Sequence, residues 1–363
     1  MRLFSLTTNT TIVEVQWQAY PIGFFLLLLC LLTIFGNLSI IYVVVREIAL
    51  HSSTYYYIAS LAFADFIIGL FVMPFGFMFG MTNDEYWLFP RHLKFLCDYW
   101  YSVNVFACTA SIFALCTIGL ERYTAISKPI EHPSLFISKR WYYWLLFIWI
   151  SSAIIAFLPM VLFETSQETS HQPLNETSFT RSILLKECRF PNNLYYTLFI
   201  SIVAFYSPLI LMIYVYIKVY IAARKQAFAL HSGYKQHSRA KSAKSHQLSS
   251  DFITVRIHHG KYQEPAQENG NVSWKNYSKD QKAAKSIGLI MGTFLICWLP
   301  CFGYLSLSGI FAIRLKNEHH HELLLKIFSW LGYSNSALNV LVYVSTAREL
   351  QMAFSKLFLR RRS

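Results

Sequence analysis

The 363-residue chain is 55% hydrophobic, 14% charged and positive in mean hydropathy, at +0.36. Soluble domains carry about 25% charged residues, so an ordinary water-soluble fold is excluded. The net charge of +13 reads as membrane topology, with attraction to anionic lipid or an acidic partner face, and not as a nucleic-acid footprint.

Seven stretches hold no Asp, Glu, Lys or Arg, or a single one: Pro21–Val45, Thr54–Gly80 (with Asp65 inside), Tyr99–Leu120, Trp141–Phe163, Asn192–Ile217, Ser286–Ile313 and Ile327–Ala347. Each has about the length a spanning helix needs. One such run could be a buried soluble helix, but no soluble core needs seven. The expected fold is an all-α membrane protein, a seven-transmembrane helix bundle over 21–347. Seven spans place the termini on opposite sides. Arg2, Arg91, Lys94, Arg181, Lys186, Arg189, Arg314, Lys316 and Lys326 fall on the N-terminal side, and the rest of the 32 Lys and Arg fall on the other. The positive-inside rule then makes the C-terminus cytoplasmic.

Residues 1–20 form a short extracellular N-terminus in which Asn9 heads a glycosylation sequon; Asn175, in the loop after the fourth span, heads another. The sequons at Asn271 and Asn276 face the cytoplasm and are read as chance. The first span carries Asn37, which must face the bundle interior for a partner. The second carries Asp65, and an acid at mid-membrane is a functional hypothesis by default. In the third, Asn104, Cys108, Ser111, Leu115, Ile118 and Arg122 share one helical face. Asn104 and Arg122 lie five turns apart, roughly 27 Å along the axis, which suits a signal carrier.

The fourth span has Trp149 and then Pro159, and the fifth has Pro208 in mid-helix, a break that frees a backbone carbonyl. Residues 224–280 are polar, basic and rich in Ser, His and Lys, and are expected to be a largely disordered third cytoplasmic loop. The sixth span contains Cys297-Trp298-Leu299-Pro300, and the seventh contains Ser334-Asn335-Ser336 and Asn339 to Tyr343. Residues 348–363 suit an amphipathic helix on the membrane, followed by a tail. The run His319-His320-His321 reads as a solvated loop in preference to a zinc site. Five of the seven cysteines fall inside apolar spans, where free Cys behaves as a small hydrophobe. Cys97 and Cys188 lie at the outer surface, where oxidation is possible, and are expected to be bridged. No nucleophile–base pair, metal signature, charged pore ring or paired transporter halves are visible, so an enzyme, channel or transporter is not expected.

Taken together and in order, Asn37, the Leu61-Ala62-Phe63-Ala64-Asp65 run, Cys97, Glu121-Arg122-Tyr123, Trp149, Pro208, the Cys-Trp-Leu-Pro run ending at Pro300, and Asn339 with Tyr343 resemble the rhodopsin-type (class A) G-protein-coupled receptors. Within the class, the third, sixth and seventh spans look most like biogenic-amine receptors, and the Asp251-Phe252-Ile253-Thr254-Val255-Arg256-Ile257-His258 stretch of the third cytoplasmic loop is similar to adrenergic and octopamine receptors. The resemblance implies a ligand pocket lined by Asn104, Val105, Cys108, Thr109, Ser201, Phe205, Trp298, Phe302, Ser329 and Tyr333. It implies an allosteric sodium site at Asp65, Ser111, Asn335, Ser336 and Asn339, with no other metal or cofactor. Its packing switch would be Ile112, Pro208 and Phe294. Its G-protein switch would be Glu121, Arg122, Tyr123, Asp280, Tyr216 and Tyr343, with Arg122 pairing Glu121 and Asp280 at rest. The implied partners are a heterotrimeric G protein, arrestin, a receptor kinase, membrane lipid and a small-molecule agonist, and the implied location is the plasma membrane.

Three departures bear on the ligand. Amine receptors carry an aspartate where this chain has Asn104, which can hydrogen-bond but has no charge. Ile200, Ser201 and Ala204 offer one hydroxyl where catecholamine receptors present several. Val340 stands where the family has a proline. These leave open a receptor for a non-amine ligand, or one that signals constitutively. A retinal protein is not expected, because Tyr333 occupies the place of the Schiff-base lysine.

Overall fold

In a computed structural model of the chain, the described residues are 5–8, 11–14, 19–81, 95–128, 131–164, 194–222, 224–225, 270–310 and 318–359. A short antiparallel ribbon comes first, Ser5–Thr8 (β1) against Thr11–Glu14 (β2), with Ser5 opposite Glu14. All other regular structure among the described residues is helical. Helix α1 is Ala19–Arg46. Helix α2 runs from Ser53–Ile67 through a π-helical turn, Ile68–Val72, into Met73–Met81. Helices α3, Phe95–Ser127, and α4, Trp141–Glu164, are continuous. Helix α5 runs from Leu194–Ile200 through a second π turn, Ser201–Tyr206, to Ala222. Helices α6, α7 and α8 are Gly270–Ile310, Glu318–Thr346 and Arg348–Leu359.

Helices α1 to α6 each contain a segment long and apolar enough to cross a bilayer. Helix α7 has the length but carries more polar residues, and it packs along α6 and α1. Side chains such as Phe24, Leu28, Leu146, Ile150, Ile210 and Ile296 are exposed at the rim, as lipid contact requires. The core lies inward, and α3 stands in it, meeting α2, α4, α5 and α6.

Both π turns end just before a proline, Pro74 in α2 and Pro208 in α5. Proline has no N–H and its ring presses on the carbonyl one turn back. A widened turn accommodates that ring without ending the helix. Pro300 sits inside α6 with no such turn.

Two expectations are corrected. The segment 224–280 is not disordered to its end, since residues 270–280 already belong to α6. Polarity marks solvation, not the end of a helix, and the Gln281-Lys282-Ala283-Ala284-Lys285 run is made of good helix formers. The histidine run is not a loop either, because His319 to His321 open α7. The imidazole of His321 lies 2.7 Å from the hydroxyl of Tyr304 on α6, Nδ1 to Oη. Helix α8 buries Leu350 and Ala353. It is tied down by Tyr55, whose hydroxyl donates to Glu349 at 2.6 Å, and by Lys356, 2.8 Å from Glu47.

Candidate functional site

The functional side chains fall at three levels along α3. At the first, the amide nitrogen of Asn104 donates to the Tyr333 hydroxyl at 3.0 Å, and its Oδ1 accepts from the Cys108 thiol at 3.3 Å. Tyr333 packs edge-on to Trp298 and Trp330, with ring centroids 6.5 and 5.8 Å away. Trp298 also abuts Gly332. A methyl there would come within 2.8 Å of the indole, so the glycine is what lets the ring lie against α7. On the α5 side Phe205 stacks on Phe302 at 4.4 Å, and Phe302 lies 5.7 Å from Trp298. Tyr206 donates to the Phe302 carbonyl at 3.3 Å and to Ser306 at 3.2 Å, closing α5 on α6. Val105, Cys108, Thr109 and Ser201 are buried, and Ser329 is partly buried. Asn104, Tyr333 and Cys108 form the polar centre of this level.

At the second level Asp65 is fully buried. Its Oδ1 accepts from Ser336 at 2.8 Å and Ser111 at 3.1 Å, and its Oδ2 accepts from Asn339 at 2.9 Å. The side-chain oxygens of Asn335 and Asn339, also buried, have no hydrogen-bond partner in the chain. Asn37 donates to the carbonyls of Thr33, at 2.9 Å, and of Ser336, at 3.2 Å. It thereby fastens α1 to α7 beside the aspartate. Val340, one turn on, fills the space over Gly36, where a methyl would meet its Cγ1 at 2.8 Å. Trp149 donates to Ser60 at 3.1 Å, fixing α4 to α2. On the α5 and α6 side, Phe205 lies 5.8 Å from Phe294, and Ile112, the residue after Ser111 on α3, is buried like them. The carbonyl of Pro208 accepts from the Cys116 thiol at 3.6 Å.

At the third level Glu121 is buried, at 1% exposure, beside a partly exposed Arg122 whose Nε stands 3.6 Å from its Oε2. That oxygen has no hydrogen bond. The stronger contacts are to Oε1, from the Thr54 hydroxyl at 2.7 Å and His132 Nε2 at 3.1 Å. His132 Nε2 also lies 3.2 Å from Ser138 Oγ, itself 3.0 Å from Ser53 Oγ. Neighbouring Glu131 instead pairs Lys128 at 2.9 Å and holds that ammonium above its usual pKa range. Tyr123 is partly buried, and Tyr343 is buried with its hydroxyl unpartnered. Tyr216 lies over Gly288, where a methyl would come 3.0 Å from its hydroxyl.

The sequence reading named the Glu121–Arg122 pair but missed Thr54 and His132. Thr54 stands at the first residue of its predicted span, and His132 opens a single 3-10 turn between spans, so neither had a periodic signal. The side chain of Asp280 lies outside the described residues, as do Asn9, Asn175 and Cys188. Cys97 is disulfide-bonded. The free cysteines among the described residues are Cys30, Cys108, Cys116, Cys297 and Cys301, all in spans.

Three clusters thus lie along one helix, the middle one around a fully buried carboxylate. Residues 36–343 match the model of the seven-transmembrane receptor (rhodopsin) family. The chain belongs to that family. It is a membrane receptor and not an enzyme. It is similar to the alpha-1A adrenergic receptor of Mus musculus, 33% identical over 359 residues that cover 95% of this chain and 70% of the relative. The Homo sapiens alpha-1A adrenergic receptor is 32% identical over 347 residues, 93% of this chain and 67% of the relative. Dopamine receptor 2 of Drosophila melanogaster is 31% identical over 401 residues, 92% of this chain and 70% of the relative. The receptor thus stands among relatives of the biogenic-amine class.

Proposed function

We propose that this receptor sits in the plasma membrane with its N-terminus outside, and passes an extracellular small-molecule signal of biogenic-amine type to a heterotrimeric G protein. The observation that carries this is α3, one unbroken and largely buried helix that joins the aromatic and polar cluster at Asn104 to Arg122 beside the buried Glu121. The names of the relatives, adrenergic and dopamine receptors, supply the ligand class. A ligand that favours an open arrangement over the closed one shifts the population toward it, and the contacts holding Glu121 and Arg122 are those that opening would release. Arrestin, a receptor kinase and membrane lipid would be further partners of the same end, and Cys97 would pair with Cys188.

The Asp65 cluster fits a sodium ion. The oxygens that meet there are hard ones: the Asp65 carboxylate, the Ser111 and Ser336 hydroxyls, and the amide oxygen of Asn339, which has no hydrogen-bond partner. Bound there, sodium would supply positive charge to a carboxylate that otherwise relies on three neutral donors.

The test is cAMP and calcium output in cells expressing wild type and Asn104→Asp, with and without a panel of biogenic amines. The proposal expects signalling that depends on the receptor, and an amine response created or raised by the aspartate. A chain that reaches the surface yet signals in neither form, with or without amines, contradicts it.

A further inference from the structure

His132 brings a titratable group onto the carboxylate beside Arg122. Its Nε2 lies 3.1 Å from Glu121 Oε1, and the oxygen of an ionised carboxylate can only accept. Nε2 therefore carries a proton in this contact, and the imidazole donates. Thr54 donates to the same oxygen at 2.7 Å. On its other side Nε2 lies 3.2 Å from Ser138 Oγ, which is 3.0 Å from Ser53 Oγ at the start of α2. The Glu121 side chain is 1% exposed and that of His132 is 18% exposed. The acid is out of water, while the imidazole reaches it from a place open to proton exchange.

The two partners sit on different supports. Glu121 belongs to α3, whereas His132 opens the turn His132–Ser134, which leads through the short helix Phe136–Lys139 toward α4. Tyr57 of α2 fixes that short helix by donating to the Ile137 carbonyl at 2.7 Å. The other ionisable groups on these elements have partners of their own or carry positive charge. Glu131 pairs with Lys128 at 2.9 Å, Tyr55 with Glu349 at 2.6 Å, and His51 lies 3.3 Å from the Val45 carbonyl. Tyr56 stacks on Trp141, Arg140 lies over the Phe136 ring, and Lys139 is exposed. Arg122 stands on the far oxygen of Glu121, at 3.6 Å. The carboxylate that a charged His132 meets is Glu121.

We propose that His132 is a proton-sensing latch, whose imidazolium clamps the turn before α4 onto Glu121 and holds the receptor closed. The proposal rests on the receptor reading above and on its orientation, which puts this end in the cytosol. A neutral imidazole gives Glu121 an ordinary donor, and the imidazolium gives it a bond between two charged groups, which is markedly stronger. Histidine changes charge between about pH 5 and 8, so the latch works across the range a cytosol covers. Opening parts Glu121 from His132, so the proton binds the closed arrangement better than the open one. By reciprocity, acid favours the closed arrangement and ligand-free signalling rises as the pH rises. A proton taken up by Glu121 itself would act in the opposite direction, since it would remove the charge that both His132 and Arg122 face.

The test takes full-length receptor in lipid nanodiscs from about pH 6 to about pH 8, with two readouts. One is ligand-free nucleotide exchange on a panel of G proteins, corrected for the receptor-free rate at each pH. The other is the unfolding temperature with no G protein present. Wild type is expected to exchange about threefold or more faster at the upper pH than at the lower. Its unfolding temperature, relative to His132→Gln, is expected to be higher in acid than in base. Glutamine keeps a donor toward Glu121 and removes the titration, so His132→Gln should lose the rise in exchange. His132→Arg, charged throughout, should stay at the low rate across the range. The same pH dependence in wild type and His132→Gln, by both readouts, overturns the inference. So does exchange that depends on His132 but rises in acid. If no G protein responds and the unfolding temperature keeps its His132-dependent shift, the latch stands and the receptor reading fails.

Discussion

Thr54→Val isolates the contact that holds Glu121. The hydroxyl of Thr54 donates to Glu121 Oε1 at 2.7 Å, against 3.6 Å from Arg122 to the other oxygen. Valine keeps the shape of threonine and deletes only the donor. A hydrogen bond to a charged group contributes about 1.5–3 kcal/mol, and here the carboxylate is buried, so water does not replace it. If opening frees Glu121 from Thr54, the substitution destabilises only the closed arrangement. The open-to-closed ratio should then rise roughly 10- to 150-fold, since about 1.4 kcal/mol is a factor of ten. The assay is ligand-free second-messenger output normalised to surface expression. His132→Ala, which removes the 3.1 Å contact to the same oxygen, should act in the same direction. Basal output from Thr54→Val equal to or below wild type at equal expression would refute the reasoning.

Gly332→Ala should drive a methyl into Trp298 and cost about 1–3 kcal/mol in overpacking, read as a lower unfolding temperature and weaker ligand response together. Gly36→Ala should clash with Val340 to a similar extent, and Val340→Ala in the same chain should restore most of the loss; additive losses would mean the two side chains are not in contact. Sodium should raise the unfolding temperature of wild type relative to choline at equal ionic strength, and Asp65→Asn should abolish that difference. A sodium effect that survives Asp65→Asn would place the ion elsewhere.

The spans were legible because lipid demands long uncharged helices, and each predicted stretch overlaps a helix. Asp65 stood out for the same reason, as a charge where none is cheap, and Ser111, Ser336 and Asn339 do bond it. Contacts that depend on shape left no such trace. Gly36 under Val340, Gly288 under Tyr216 and Gly332 under Trp298 are ordinary glycines in the sequence, and only the packing of a second helix gives them a role. The π turns were hidden because Pro74 and Pro208 announce a disturbance without saying whether the helix breaks or widens. The start of α6 was misplaced because helix formation outside the membrane follows backbone propensity, while the reading followed hydropathy. Asn104 was recognised as a departure, but its bonds to Tyr333 and Cys108 required the relative placement of α3 and α7.

The measurement that bears most directly on the account is nucleotide exchange on a panel of purified heterotrimeric G proteins, catalysed by the Thr54→Val receptor in nanodiscs. The account predicts exchange above the receptor-free rate with at least one G protein, and its loss when Arg122→Ala is added. Exchange at the receptor-free rate with every G protein, or exchange that is indifferent to Arg122, would contradict it.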